Sequence, residues 1–130
     1  MVKFKLDELP GTFIGEGQTR REVKLFSSPN SDIATEHFAL GMTIIEPGQE
    51  HEVHEHELNS EVQVIYAGAG VMRTRDGEIP VEKGDVIGLA TEEPHGFANT
   101  GAEALKILWV YYPPGLAEEK FLIRKGGGES

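Results

Sequence analysis

GQEHEVHEHELNSEVQVIYAG, residues 48–68, decides how the rest of this chain is read. Pro47-Gly48 before it and Gly68 at its end are turn signals. Between them His54 and His56 stand two apart and Glu61 follows five residues on. Residues two apart in an extended chain project from one face, so His54 and His56 point together. A turn around Leu58-Asn59 returns the chain, and Ser60 to Tyr66 forms the next strand, with Glu61, Gln63 and Ile65 on one face. A distant piece, PHGFAN at residues 94–99, supplies His95. Three imidazoles and a carboxylate form a four-donor set for a divalent metal. The bland alternative is a polar surface cluster, and the spacing, rather than histidine richness, argues against it.

Working outward, short apolar runs alternate with Gly, Pro, Asn and Asp turns. Arg21 to Phe26 reads as a strand closed by SSPNSD. IATEHFALGMTIIEPG, residues 33–48, reads as one long strand with Phe38, Leu40, Met42 and Ile44 on a common face. After Gly68-Ala69-Gly70 come VMRTR, the Asp76-Gly77 turn, EIPVEKGD, VIGLA, the TEEP loop, HGFAN and the apolar ALKILWVYY, which Pro113-Pro114-Gly115 stops. Residues 1–10 alternate apolar and charged (Val2, Phe4, Leu6 against Lys3, Lys5, Asp7) and predict a strand-like arm on the barrel or on a partner subunit. About ten short strands and no long amphipathic helix predict an all-β sandwich or barrel. The 130 residues suit a single domain: an N-terminal arm and strands over 1–32, a barrel core over 33–112, a C-terminal segment over 113–125 and a disordered tail over 126–130.

Composition excludes several function classes. A net charge of −10 offers nucleic-acid phosphates no basic patch and anionic membranes no attraction. The chain has no cysteine, so any metal must be held by nitrogen and oxygen. No apolar run is long enough for a membrane span, and the start does not read as a secretory signal, so a cytoplasmic protein is expected. Six glutamates (Glu46, Glu50, Glu52, Glu55, Glu57, Glu61) crowd the central stretch, so an anionic substrate would need a metal or an arginine to offset them.

The strands and spacings together resemble the cupin family, whose fold is a double-stranded β-helix or jelly-roll barrel. The family's first motif runs glycine, five residues, His-x-His, three or four residues, Glu, six residues, glycine. Gly48, His54, His56, Glu61 and Gly68 fit it at every fixed position. In the second motif Gly84, His95 and Asn99 are in place, while Ala90 stands where proline is usual and Glu92 where glycine is usual. The resemblance covers roughly residues 33–112. It implies that His54, His56, Glu61 and His95 ligate one divalent metal, without choosing among iron, manganese, nickel, cobalt, copper and zinc.

Other residues carry weaker signals. Gln63 shares parity with Glu61, Tyr111 lies on the last long strand, and Glu92 falls near the expected barrel mouth; these are the candidate catalytic groups. His51 and His37 read as surface histidines, and Arg73 and Arg75 either orient a substrate carboxylate or pair with outer-face glutamates. Met42, Phe97 and Trp109 read as core that could line a barrel. The implied function is a metal-dependent enzyme on a small molecule, of dioxygenase type. The alternatives are a non-redox isomerase, epimerase or lyase on a sugar-like or hydroxy-acid substrate, and a small-molecule binding module without turnover. A homodimer is expected, and neither nucleic acid nor membrane is expected as a partner.

Overall fold

A computed structural model describes residues 1–54, 59–115 and 118. Among the described residues eleven strands follow one another: β1 Thr12–Ile14, β2 Arg21–Ser28, β3 Ile33–Ala34, β4 Ala39–Ile45, β5 Glu50–His54, β6 Ser60–Ala67, β7 Ala69–Thr74, β8 Gly77–Glu82, β9 Val86–Leu89, β10 His95–Ala98 and β11 Leu105–Tyr112. They form two sheets. The larger runs β1-β2-β4-β11-β6-β9, with β3 added parallel to β2, and the smaller runs β5-β10-β7-β8. Apart from the β2–β3 pair, the pairings are antiparallel. Chain neighbours often sit in different sheets: β4 in the larger connects to β5 in the smaller, and β6 to β7. That crossing back and forth makes the jelly roll expected from the sequence.

Alternation explains which side chains meet. On β6, Glu61, Gln63 and Ile65 are buried while Val62 and Tyr66 are exposed. On β11, Leu105, Ile107, Trp109 and Tyr111 are buried. Ile45, Ile65, Leu105 and Ile107 of the larger sheet pack with Met72, Val81 and Phe97 of the smaller one, closing one end of the barrel. Val23, Leu25, Ala39, Trp109 and Tyr111 form a second cluster at the other end, all from the larger sheet. Among the described residues no equal apolar layer faces it from the smaller sheet, and that end holds a cavity instead. Trp109 lies across Gly41, its register partner on β4, and a Cβ at Gly41 would stand 2.5 Å from the indole. Gly68, at φ 84, makes the tight link from β6 to β7, where a Cβ would meet the Ala104 carbonyl at 2.4 Å.

Two sequence expectations are corrected. The alternation of residues 1–10 does not make a strand: the arm carries a single 3-10 turn, Leu6–Glu8. Phe4, Leu6 and Leu9 instead pack on Phe26, Met42 and Ile44, covering the outer face of the larger sheet, and the buried Lys24 donates to the Leu6 carbonyl at 3.0 Å. The expected long strand over 33–48 is broken into β3 and β4, with β3 pairing parallel to β2 at Ser27 and Ser28. Leu40, Met42 and Ile44 do share a face, the one under the arm. His56 and the expected tail over 126–130 lie outside the described residues, as does most of the C-terminal segment beyond Gly115. No helix among the described residues is long and apolar enough to cross a membrane.

Candidate metal and ligand site

The cavity at the open end has a volume of about 380 Å³ and lies between β2, β6 and β11 on one side and β5 and β10 on the other. Its apolar wall includes Ile14, Val23, Phe97, Ile107 and Trp109, and its polar groups come from both sheets. His54 and His95 are register partners on neighbouring strands, which sets their rings 4.3 Å apart. Glu61 arrives from β6 across the barrel, 8% exposed, with Oε1 at 3.5 Å from His95 Nε2. Beside it Gln63 donates from Nε2 to Glu61 Oε2 at 3.0 Å. The parity that pairs these two residues in the sequence is the parity found.

His51 departs from its expected place. It is three residues from His54 and in a regular strand would face the other way. Between the pairs His95–His54 and Phe97–His51, however, β5 spends three residues where β10 spends two. That extra residue is a β-bulge, and it returns His51 to the cavity face. The rings of His51 and His54 are 4.3 Å apart, and both line the cavity.

A common device orients the imidazoles. Nδ1 of His51 meets the Glu52 carbonyl at 2.8 Å, Nδ1 of His54 the same carbonyl at 3.3 Å, and Nδ1 of His95 the Glu93 carbonyl at 2.9 Å. A carbonyl only accepts, so each Nδ1 carries the proton and each neutral ring keeps its lone pair on Nε2. Backbone carbonyls hold metal-ligating histidines in this way. Burial disfavours charge on His95, but the Glu61 carboxylate and the Glu93 carbonyl outweigh it and raise its pKa above the ordinary histidine value. His51 goes the other way: burial, then the nearby Arg21 charge, lower its pKa to about 4.

The donor chemistry fits a divalent metal, with neutral imidazoles and a carboxylate converging on one cavity. Among the described residues alone, no three His, Asp or Glu side chains close to metal-ligand spacing. Of the expected set, His54, Glu61 and His95 line the cavity.

Of the candidate catalytic groups, Gln63 and Tyr111 line the cavity. The Tyr111 hydroxyl donates to Glu118 Oε1 at 2.6 Å, and burial together with that carboxylate raises its pKa, so it stays protonated. Glu92 is exposed and not part of the wall. It occupies φ 63, a left-handed conformation, at the position where the resembled motif carries glycine. Arg73 takes the second of its expected roles, pairing with Glu50 at 3.0 Å and Glu78 at 3.2 Å. The arginine of the cavity is Arg21, at the start of β2, whose Nη2 pairs with Glu52 at 3.0 Å and whose Nη1 donates to the Thr19 carbonyl at 2.8 Å. Sequence reasoning missed it because nothing in REVKLF marks which face meets the site.

Comparison with known proteins agrees with this architecture. The chain is 34% identical over 76 residues to an uncharacterised protein of Methanocaldococcus jannaschii, covering 58% of this chain and 61% of the relative. It is 34% identical over 64 residues to an oxalate-binding protein of Thermotoga maritima, covering 49% and 53% respectively. The matched part thus spans less than two thirds of either curated relative. Among solved structures, a predicted oxalate decarboxylase of Thermotoga maritima superposes with a TM-score of 0.74 at 23% identity, covering 85% of this chain and 97% of that one, which bears on the fold. The cupin-domain family profile matches residues 41–111, from Gly41 under the indole to Tyr111 in the cavity wall, and the chain belongs to the cupin family.

Proposed function

We propose that this chain is a metal-dependent enzyme acting on a small molecule in the cavity, with His54, Glu61 and His95, together with His56, holding one divalent metal. The observation that carries the reading is the pinning of Nδ1 on His54 and His95 by backbone carbonyls, which leaves Nε2 as the donor beside a buried carboxylate. A metal there would supply Lewis acidity and, if redox-active, a place for dioxygen. The chain's own residues supply the rest. Gln63 fixes the Glu61 carboxylate through one of its two oxygens. Ile14, Val23, Phe97, Ile107 and Trp109 keep bulk water from the reacting atoms.

That apolar wall favours an oxygen-using reaction of dioxygenase type. One observation favours a second reading, a non-redox isomerase or lyase: His51 stays neutral at pH 7 on the same cavity and can accept a substrate proton at Nε2.

Elemental analysis of the protein purified without chelator, beside His95→Ala, tests the shared premise. About one metal per chain, lost in the variant while the fold persists, is expected. Metal content that survives the substitution sinks the site assignment. Iron with oxygen uptake on catechol-like or keto-acid compounds selects the first reading; anaerobic turnover with zinc or manganese selects the second. A wild-type chain that takes up none of these ions leaves a binding module.

A further inference from the structure

We propose that the cavity takes a 2-hydroxy carboxylate with an apolar tail, its carboxylate anchored by Arg21 and its hydroxyl donated to Gln63. The inference deepens the preceding reading and shares its cavity, but it rests on two residues outside the metal-donor set.

Arg21 is the first support. Its side chain is 9% exposed, in a cavity wall shared with Ile14 and Val23. Two of its nitrogens are held, Nη2 by Glu52 and Nη1 by the Thr19 carbonyl, and the buried Nε has no acceptor. A buried charged donor left without an acceptor is destabilising. The alternative is a purely structural latch for Glu52. Glu52 is 55% exposed, and such a pair at the surface contributes little and needs no buried guanidinium. A ligand carboxylate matches the planar fork and completes it.

Gln63 is the second support. It is 4% exposed and gives its amide nitrogen to Glu61, so Oε1 is left as an acceptor, and no donor reaches it. A ligand hydroxyl satisfies it; a second carboxylate would repel it. Charge points the same way. Arg21, Glu52 and Glu61 are the charged groups of the wall among the described residues, and with a divalent metal they leave one net positive charge, which a monocarboxylate neutralises. Phe97, Ile107 and Trp109 leave an apolar place for the tail, and 380 Å³ is roughly a dozen water volumes, enough for an aromatic ring beside the two polar groups.

The test is calorimetric titration with mandelate, its neutral amide mandelamide, and phenylacetate, which lacks the hydroxyl. Wild type, Arg21→Met, Arg21→Lys and Gln63→Leu are compared as purified, with metal content measured, and again after chelation. Wild type should prefer mandelate over mandelamide by about tenfold or more, a preference that falls to within about twofold in Arg21→Met and partly returns in Arg21→Lys. Mandelate should also exceed phenylacetate by about fivefold, a margin lost in Gln63→Leu. A wild-type protein that fails to bind mandelate at about 10 mM, or binds acid and amide equally, overturns the inference, and this comparison decides even if Arg21→Met does not fold. A carboxylate preference that vanishes on chelation but survives in Arg21→Met assigns the anchor to the metal, overturning this inference and sparing the metal reading. An Arg21-dependent preference in a chain that binds no metal does the reverse.

Discussion

Asn99 is buried, 3% exposed, and its side chain makes three hydrogen bonds to the backbone. Its Nδ2 donates to the Ile45 carbonyl at 2.7 Å and to the Glu103 carbonyl at 2.8 Å, while its Oδ1 accepts from Gly101 N at 2.9 Å. Its backbone joins the same junction, donating to the Gln49 carbonyl and accepting from Gly48 N. One side chain therefore ties the end of β4 to the link between β10 and β11. Asn99→Ala leaves three backbone groups without these partners. At about 1 kcal/mol for each bond the loss is about 3 kcal/mol, and more if water cannot reach the freed carbonyls. For a domain of this size that corresponds to a fall in Tm on the order of 10 °C. Asn99→Asp should be at least as damaging, because a carboxylate would face two carbonyls while keeping only the Gly101 bond. Urea unfolding of the three proteins measures the effect. A loss below about 1 kcal/mol in Asn99→Ala would refute the accounting, and with it the claim that this residue fixes the junction. Metal content of the folded variant should not change, since Asn99 lies four residue steps, roughly 13 Å of extended chain, beyond His95.

Four further predictions concern the site and its supports. The folded state refuses His51 the proton that the unfolded chain accepts, so chelated protein should lose up to about 3 kcal/mol through this residue as pH falls from 6.5 to about 4, and His51→Gln should remove that part of the urea-unfolding profile. His95 has the opposite sign: its contribution is whole below the unfolded value of 6.5 and is lost as pH rises through its higher folded pKa, so the stability gap between chelated wild type and His95→Gln should narrow on the alkaline side. Glu92→Gly relieves a left-handed residue at φ 63 and should stabilise the chain by up to about 1 kcal/mol in thermal melts; a destabilised variant would mean that the Glu92 side chain supports the turn. Gly41→Ala forces a Cβ against the indole of Trp109 and the Lys24 carbonyl and should cost about 1–3 kcal/mol, with a shifted tryptophan emission; an unchanged spectrum would show that the indole is free to move.

The barrel was legible in the sequence because strand alternation and turn residues are local signals, and the inward set Glu61, Gln63, Ile65 follows from parity alone. His54 and His95 were legible by spacing, and the fold makes them register partners. What escaped depended on breaks in periodicity or on distant packing. His51 has the wrong parity, and only the pairing of β5 with β10 reveals the extra residue that turns it inward. Arg21 reaches the cavity because β2 lies beside β4 in the larger sheet, a neighbour that no local pattern specifies. The first ten residues misled for the reverse reason. Their alternation is real, but the apolar side chains lie flat on a sheet already formed, and the arm adds no strand to its edge.

The polar side chains of the cavity come from both sheets, with His54 and His95 on the smaller and Glu61 and Gln63 on the larger. Where the other end of the barrel is sewn shut by Ile45, Ile65 and Phe97, this end has a cavity, bridged between the sheets by the Arg21–Glu52 pair. Anything gripped by both sets of side chains becomes a clasp across the seam. Occupancy would then register as mechanics: amide exchange in β5 and β6 would slow together, and the melting point would climb with the logarithm of ligand concentration. A barrel assembled in this way would report the filling of its own mouth through the stiffness of its rim.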